Sequence, residues 1–351
     1  AWRAARTGAA HLVVGTRSAI FTPMQNRGLI IVDEEHDHSV KQQEGLRYSA
    51  RDLAIARAKQ LDIPVVLGSA TPTLEMLQHC RDERYQHIAL PARAGGAVPP
   101  ELRLIDLVRA PATDGISEPL AEAIQRHLND GGQALIFLNR RGFAPTLICG
   151  NCAHIAECKR CDSRMTVHAR SRQLRCHHCG AIRPLNSECD ECGSAVKPLG
   201  EGTERLEETL RARFPDRTIT RVDSDSTQRR GAMDEVLDQA KGGRADILVG
   251  TQMLSKGHHF PKLTLVGIVN ADQGLFGTDF RSAERMAQSI VQVAGRAGRA
   301  ERAGEVLIQT AFPENPFWET LMEKGYRGVA DEALAERELT RWPPFTRLAL
   351  I

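Results

Sequence analysis

The sequence predicts an α/β protein of two parallel-sheet lobes, the first incomplete, with a cysteine-rich two-zinc insertion in the second. Three observations predict it. Short β-branched runs ("HLVVGT", "LIIVDE", "IPVVLGSAT", "ALIFLNRR", "ADILVGTQ", "LTLVGIVNAD" and "GEVLIQT") end in small or polar residues. They alternate with amphipathic stretches such as "SARDLAIARAKQL", "SEPLAEAIQRHL" and "AERMAQSIVQVAGRA". Apolar strands alternating with such helices indicate parallel sheets covered on both faces. Second, a Pro- and Gly-rich segment, "PARAGGAVPPELRL" (Pro91 to Leu104), divides the pattern. Third, eight of the nine cysteines fall in four Cys-x-x-Cys pairs between Cys149 and Cys192, interrupting the second lobe after "ALIFLNRR". The expected organisation is a first lobe over 1–90, a linker over 91–116, a second lobe over 117–148 and 198–312, a zinc-binding insertion over 149–197, and the start of a C-terminal domain over 313–351.

The 351 residues suffice for two or more cores, and 42% hydrophobic with 26% charged residues is ordinary for a globular chain. A net charge of +2 gives no bulk argument for nucleic acid. The longest apolar runs are strand-sized, so no membrane span is expected. The start, "AWRAARTGAAHLVVGT", lacks a secretory signal and an initiator methionine, and reads as the interior of a longer cytoplasmic protein.

Ligands of parallel α/β folds sit at the carboxyl ends of the strands. The first such end is "LIIVDEEHDHSV" (Leu29 to Val40), where three consecutive acids, Asp33 to Glu35, must repel one another unless something compensates. Asp33 and Glu34 at a strand tip suit Mg²⁺ binding by one carboxylate and water activation by the next; the alternative is a solvated acidic turn. "GSATP" (Gly68 to Pro72) places the hydroxyls of Ser69 and Thr71 at the next tip, where they could bond the acidic loop or simply cap a helix. "QVAGRAGRA" (Gln292 to Ala300) ends a helix in glycines that carry Arg296 and Arg299, which read either as charge-stabilising fingers for a bound phosphate or as surface charge.

In a chain of this size with no export signal, the cysteine spacing means metal rather than disulfides. Each Cys-x-x-Cys can form one knuckle of a tetrahedral zinc site, so four knuckles make two sites. The fourteen-residue gap after Cys161 suits a hairpin joining the second and third knuckles. The preferred pairing is thus Cys149, Cys152, Cys189 and Cys192 around one zinc, and Cys158, Cys161, Cys176 and Cys179 around the other. Lys159, Arg160, Arg164, Arg170, Arg172, Arg175 and Arg183 surround the inner knuckles, with Asp162 the only acid between Cys158 and Arg183. They either offset thiolate charge or bind phosphates.

Asp-Glu-x-His, Ser-Ala-Thr, Gly-Thr-Gln and Gln-x-x-Gly-Arg-x-Gly-Arg, in this order, resemble the motifs of a superfamily 2 helicase, which implies two RecA-like lobes. "VVGTRSAIFTP" (Val13 to Pro23) looks like the DNA-backbone motif of the first lobe, and "ILVGTQMLSKGHHFPKLTLVGIVNAD" (Ile247 to Asp272) like the fifth helicase motif. With the cysteine insertion, "IFLNRRGFAP" and "DFRSAER", the chain closely resembles the bacterial primosomal protein N′ (PriA) family of replication-restart helicases. That resemblance implies an ATP-dependent 3′→5′ DNA helicase that recognises stalled forks and initiates primosome assembly. It implies branched and single-stranded DNA, single-strand binding protein, primosomal proteins and the replicative helicase loading machinery as partners, and a nucleoid location. Two zinc ions, Mg²⁺ and ATP as substrate come with it. Asp33 would organise Mg²⁺, Glu34 would activate water, and His36 would link the nucleotide to the DNA-coupling loop. Ser69 and Thr71 match the coupling motif, Arg296 and Arg299 with Gln292 the phosphate sensors, and Gly257 and Asp272 further nucleotide or coupling positions. Thr16, Arg17, Lys41, Arg47, Tyr48, Thr251, Gln252 and Lys256 are the candidate DNA contacts.

The sequence departs from the family in two places: Val40 and Leu46 stand where aromatic rings are expected, leaving Tyr48, and His259 replaces an acid before Phe260-Pro261. No Gly-Lys dipeptide occurs, so the phosphate-gripping Gly-x-x-x-x-Gly-Lys-[Ser/Thr] loop is missing and this segment is expected not to hydrolyse ATP alone. Two other readings compete: a non-catalytic assembly platform in which the zinc module recruits partners, and a repair helicase outside the primosome.

Overall fold

The computed structural model describes residues 2–42, 45–90, 99–138, 147–152, 154–161, 165–168, 172–176, 179–198, 203–222, 236, 238–240, 242–251, 260–277, 279–298 and 304–348. The chain divides into two compact units, 1–88 with 334–351, and 89–333. No helix among the described residues is long and apolar enough to cross a membrane.

In the first unit a short helix α1 (Trp2–Arg6) precedes strand β1 (Ile30–Val32), which pairs in parallel with β2 (Val65–Leu67). Helix α2 (Ala50–Leu61) connects them, and its three alanines Ala50, Ala54 and Ala58 are buried, so a small-residue stripe lets it lie close on the strands. Ser49 caps α2 by accepting the Asp52 N–H, and Asp62 ends it in the left-handed conformation. Helix α3 (Leu74–Arg81) follows β2. The expected strand "HLVVGT" is not formed: residues 11–15 make no ladder with any described strand, and Val14 is 88% exposed. An apolar run becomes a strand only where a partner edge accepts its backbone groups.

The second unit is built on six parallel strands in the order β12-β13-β6-β14-β15-β3. These are β3 (Glu101–Asp106), β6 (Gln133–Leu138), β12 (Ile219–Val222), β13 (Ile247–Gly250), β14 (Leu263–Val269) and β15 (Glu305–Thr310). A minor hairpin, β4 (Ala112–Thr113) with β5 (Ile116–Ser117), precedes helix α4 (Glu118–Asn129). All of β6 and β14 is buried, as central strands covered on both faces must be. On one face Leu120, Ile124 and Leu128 of α4 and Leu206 and Leu210 of α5 (Thr203–Arg213) pack in a single core with Ile136, Val249 and Leu265. Strand β3 lies within the stretch read from sequence as linker; its alternation buries Ile105, and β15 gives it an edge to join.

The insertion is a small antiparallel module. Strand β7 (Leu147–Cys149) pairs with β11 (Val196–Pro198), closing its base. Between them β8 (Thr166–His168), β9 (Gln173–Arg175) and β10 (Ile182–Pro184) form a three-stranded sheet. Its own core gathers Leu147, Ala156, Met165, Val167 and Leu174 with Cys158 and Cys176.

Candidate functional site

The eight cysteines between Cys149 and Cys192 form two groups, Cys149, Cys152, Cys189 and Cys192, and Cys158, Cys161, Cys176 and Cys179, with all ligand atoms of a group within 4.8 Å of one another. This is the pairing preferred from spacing. The β8–β9 hairpin fills the fourteen-residue gap and brings the second and third knuckles together, while the β7–β11 pair returns the fourth knuckle to the first. Sγ–Sγ separations of 3.5 Å (Cys149–Cys192, Cys158–Cys179) and 3.6 Å (Cys152–Cys189, Cys161–Cys176) approach the roughly 3.8 Å edge of a tetrahedron with zinc–sulfur bonds of about 2.3 Å. Backbone N–H groups of Asn151, Arg160 and Glu191 donate to Cys149, Cys158 and Cys189 Sγ at 3.4 Å, two residues into the turn of each knuckle. Hydrogen bonds from Ser194 lower the Cys192 thiol to about 5 and the Arg160 N–H lowers Cys158 to about 7, while Cys152 and Cys179 in the same two groups are raised to about 12, so the protons are held unevenly within each group and a bound metal would have to displace those that remain. The donor chemistry and spacing fit zinc, with four thiolates for each ion.

Of the cations around the inner knuckles, Lys159, Arg160, Arg172 and Arg175 are exposed. Arg183 is not a free surface charge. Its guanidinium pairs with Asp190 beside the outer knuckle and its Nε lies 3.2 Å from Met165 Sδ, so it ties the inner sheet to the outer site. Arg164 and Arg170 lie outside the described residues.

At the tip of β1, Asp33 is exposed and its Oδ1 accepts the Glu34 N–H at 2.9 Å. Glu34 has φ +48°, a left-handed conformation that turns the chain sharply away from the strand. The expected bond between the two strand tips is present: His36 Nδ1 lies 2.7 Å from Ser69 Oγ, which also accepts the Thr71 N–H at 3.0 Å. His36 Nδ1 is 3.6 Å from Glu34 Oε2. Gly68 passes so close that a Cβ there would sit 3.3 Å from Asp33 Oδ1. Asp33, Glu34, His36, Ser69 and Thr71 thus converge on one end of the β1–β2 pair. Asp33 and the half-exposed Glu34 suit a divalent cation and its water, which is the Mg²⁺ chemistry this donor pair would support.

The structure adds what the sequence reading missed. Glu35, treated as the variable position of the acidic motif, is 2% exposed and holds the site together. Its Oε1 accepts the Thr73 N–H at 2.7 Å, and its Oε2 accepts Arg51 Nη1 at 3.0 Å and Thr73 Oγ1 at 3.2 Å. Burial lowers the Arg51 guanidinium pKa, but Asp52 and Glu35 outweigh it and leave the group above its ordinary value. The compensation demanded by three adjacent acids is therefore Arg51, and the signal for it was the acid run itself.

Arg17 donates to Ser39 O at 3.2 Å, joining the segment after Thr16 to the loop beyond the acids. Lys41 bridges to Ser49 and the Gln42 N–H donates to Tyr48 O at 2.8 Å, and Lys41 and Arg47 are exposed. Tyr48 packs edge-on against Phe21, ring centroids 5.0 Å apart.

In the second unit Thr251 is buried at the end of β13. Asp272 is buried beyond β14; Thr310 Oγ1 donates to its Oδ1 and the Ala311 N–H to its Oδ2 at 2.8 Å, so this carboxylate joins two strand tips. Burial raises its pKa, against the bonds from Ala311 and Thr310. Gln292 lies in the last turn of the helix Ser282–Ala294, and Arg296, 8% exposed, follows its Gly295 cap. Gln252, Lys256, Gly257 and Arg299 lie outside the described residues.

Two family models match. Residues 158–184 match the PriA DNA helicase Cys-rich region domain, and residues 198–301 match the helicase conserved C-terminal domain. Replication restart protein PriA of Haemophilus influenzae is 49% identical over 351 residues, covering 100% of this chain and 48% of that protein. The Bacillus subtilis protein of the same name is 41% identical over 354 residues, 100% of this chain and 44% of the relative, and that of Chlamydia trachomatis 40% identical over 356 residues, 99% and 47%. The chain spans about half the length of these relatives. With a helicase conserved C-terminal domain, a PriA Cys-rich region and two four-cysteine groups lying in sequence between strands β6 and β12 of one parallel sheet, the chain belongs to the PriA family of replication restart proteins.

Proposed function

We propose that this chain is the part of a replication-restart DNA helicase that carries the water-activating carboxylates and the zinc module. In this reading the full-length protein couples ATP hydrolysis to 3′→5′ unwinding at stalled forks in the bacterial cytoplasm and starts primosome assembly there. Asp33 holds Mg²⁺ and Glu34 orients and deprotonates the attacking water. Arg296 and Arg299, with Gln292, sense the transferred phosphate, and Thr16, Arg17, Lys41, Arg47, Thr251, Gln252 and Lys256 contact the DNA backbone. The observation that carries the reading is the convergence of Asp33, Glu34, His36 and Ser69 on one strand end in a chain whose relatives are replication restart proteins.

The test is Glu34→Gln in the full-length protein. It should reduce ATP turnover and unwinding by at least about 100-fold, the scale of general-base loss, while DNA affinity stays within about 3-fold. Retained unwinding would refute the reading.

The exposed Lys159, Arg160, Arg172 and Arg175 favour a second role for the zinc module, as the platform that engages partners or DNA at the fork. Its partners by this proposal are single-strand binding protein, primosomal proteins and the helicase loading machinery. Zinc removal should then abolish recruitment while DNA-stimulated ATPase persists; loss of ATPase with recruitment intact would exclude it.

A further inference from the structure

The two four-cysteine groups share no ligand, yet one side chain joins them. Cys176 and Cys179 lie between β9 and β10, and the Cys176 N–H donates to Ala181 O at 2.8 Å. Strand β10 runs back along β9 with Arg183 opposite Leu174, and Leu174 shares a core with Met165, Cys158 and Cys176. Whatever draws the four inner thiols together therefore also sets β10 against β9 and aims Arg183. The fourth knuckle, by contrast, turns back on itself. Glu188 bridges to Ala195, the Cys189 N–H donates to Ser194 O at 2.8 Å, and the Gly193 N–H donates to Cys189 O at 3.0 Å. These bonds shape the knuckle without tying it to the three-stranded sheet. Arg183 supplies that tie: its Nη1 donates to Asp190 Oδ2, one residue past Cys189, while its Nε lies 3.2 Å from Met165 Sδ. The two side chains are 18% and 29% exposed, so water competes only partly for the pair. A charge-assisted bond from a planar guanidinium has direction as well as strength, so it can hold a turn in one place. Four thiolates around one zinc carry about two net negative charges, which leaves Asp190 beside them in need of a cation.

We propose that the Arg183–Asp190 pair makes zinc binding at the two groups cooperative. An ordered inner group presents Arg183 to Asp190, and the fourth knuckle is then already shaped to join Cys189 and Cys192 to Cys149 and Cys152. Arg183 is a positioning residue and ligates neither ion. By linkage the effect runs both ways, so an occupied outer group favours the inner one by the same factor. The inference rests on zinc as the occupant of both groups.

Zinc-buffered binding isotherms of the full-length protein, stripped of metal under reducing conditions, test it. Cys176→Ser leaves the outer site and Cys149→Ser the inner one, so each gives the constant of a single site, with metal analysis checking that one ion is bound. In the parent, the overall constant for loading both ions should exceed the product of the two single-site constants by about 10-fold, within the usual range of coupling between linked sites. In an Arg183→Gln background the overall constant should equal that product within about 2-fold, and the single-site constants should stay within about 2-fold of those measured with Arg183 in place. An excess that survives in Arg183→Gln would overturn the proposal. So would single-site constants that fall by the full factor when Arg183 is replaced, because the arginine would then only offset thiolate charge or stiffen one site. Should a serine variant bind no ion, Asp190→Asn with all eight cysteines intact decides. It should lower the overall constant about 10-fold, as Arg183→Gln does, and the double variant should be no lower than the worse single, because both remove one interaction. Additive falls, or none, would overturn the proposal. A parent that binds no zinc sinks the metal assignment itself, whereas a parent that loads two ions independently sinks only this inference.

Discussion

Gly267 has no side chain because α4 occupies the space where one would be. A Cβ there would lie 2.8 Å from Leu120 Cδ1 and 3.0 Å from Ile136 Cδ1, both fully buried. Gly267→Ala should therefore destabilise the second unit: overpacking costs about 1–3 kcal/mol, against roughly 0.5–1 kcal/mol gained from a stiffer unfolded chain. Urea unfolding of the two proteins checks it, and a stabilised variant would mean the helix shifts freely on the sheet. The same limit governs the acidic motif. The sequence disclosed that three acids in a row need a countercharge, and it disclosed Asp33 and Glu34 as a strand-tip pair. It could not disclose that Glu35 turns inward onto Arg51, sixteen residues away, because side-chain direction after a left-handed residue follows from the turn at Glu34 and not from residue type. Tyr48 shows a related limit: the sequence leaves it as a lone aromatic ring among basic and polar residues, and only the structure shows Phe21 packed edge-on against it.

Elements were legible wherever periodicity or spacing left one solution. The zinc pairing is the clearest case: the hairpin-length gap favoured joining the second and third knuckles over pairing consecutive ones, and the structure groups the thiols that way. Strand "HLVVGT" was misread and β3 missed because pairing is a property of neighbours: the first run has no described edge to join, and β3 borrows one from β15. The module and the six-stranded sheet have separate cores, so they should respond separately to metal loss. Metal analysis should give about two zinc ions per chain, and Cys176→Ser about one, because each four-thiolate site holds a single ion. A strong chelator should expose 149–197 to protease while the sheet remains folded; cleavage spread over the whole chain would contradict this. At the start of β15 Glu305 bonds His127 Nε2 at 2.8 Å and Arg126 Nη2 at 2.6 Å, with Arg103 Nη1 at 3.6 Å. Burial raises its pKa, but His127 and Arg126 prevail and hold it below the ordinary 4.5. A depressed carboxylate contributes stability that is present above its unfolded pKa and lost as pH falls through its folded one. The parent should therefore melt higher than Glu305→Gln near neutrality, and the gap should close as pH falls through and below the ordinary carboxylate range. A gap that persists in acid would place the stabilisation in packing rather than charge.

At the scale of the whole molecule, the proposed function asks which parts of a nucleotide machine 351 residues would supply. The acidic strand end, the Ser69 and Thr71 hydroxyls and Arg296 are present, yet no Gly-Lys dipeptide occurs anywhere in the chain. Carboxylates can position a cation and a water, but they repel phosphate. Binding a triphosphate needs a cradle of backbone N–H groups and a lysine on the β- and γ-phosphates, which a glycine-rich loop supplies. The chain spans about half of each relative, so such a loop can reside in sequence outside this segment. The 351-residue segment, purified by itself, should accordingly bind about two zinc ions, which certifies that its module is folded, and show no DNA-stimulated ATP turnover above background. The full-length protein assayed beside it should turn over. A segment that binds zinc and hydrolyses ATP at a rate comparable to the full-length protein would mean that other residues here grip the phosphates, and the assignment of the catalytic machinery would have to start from those.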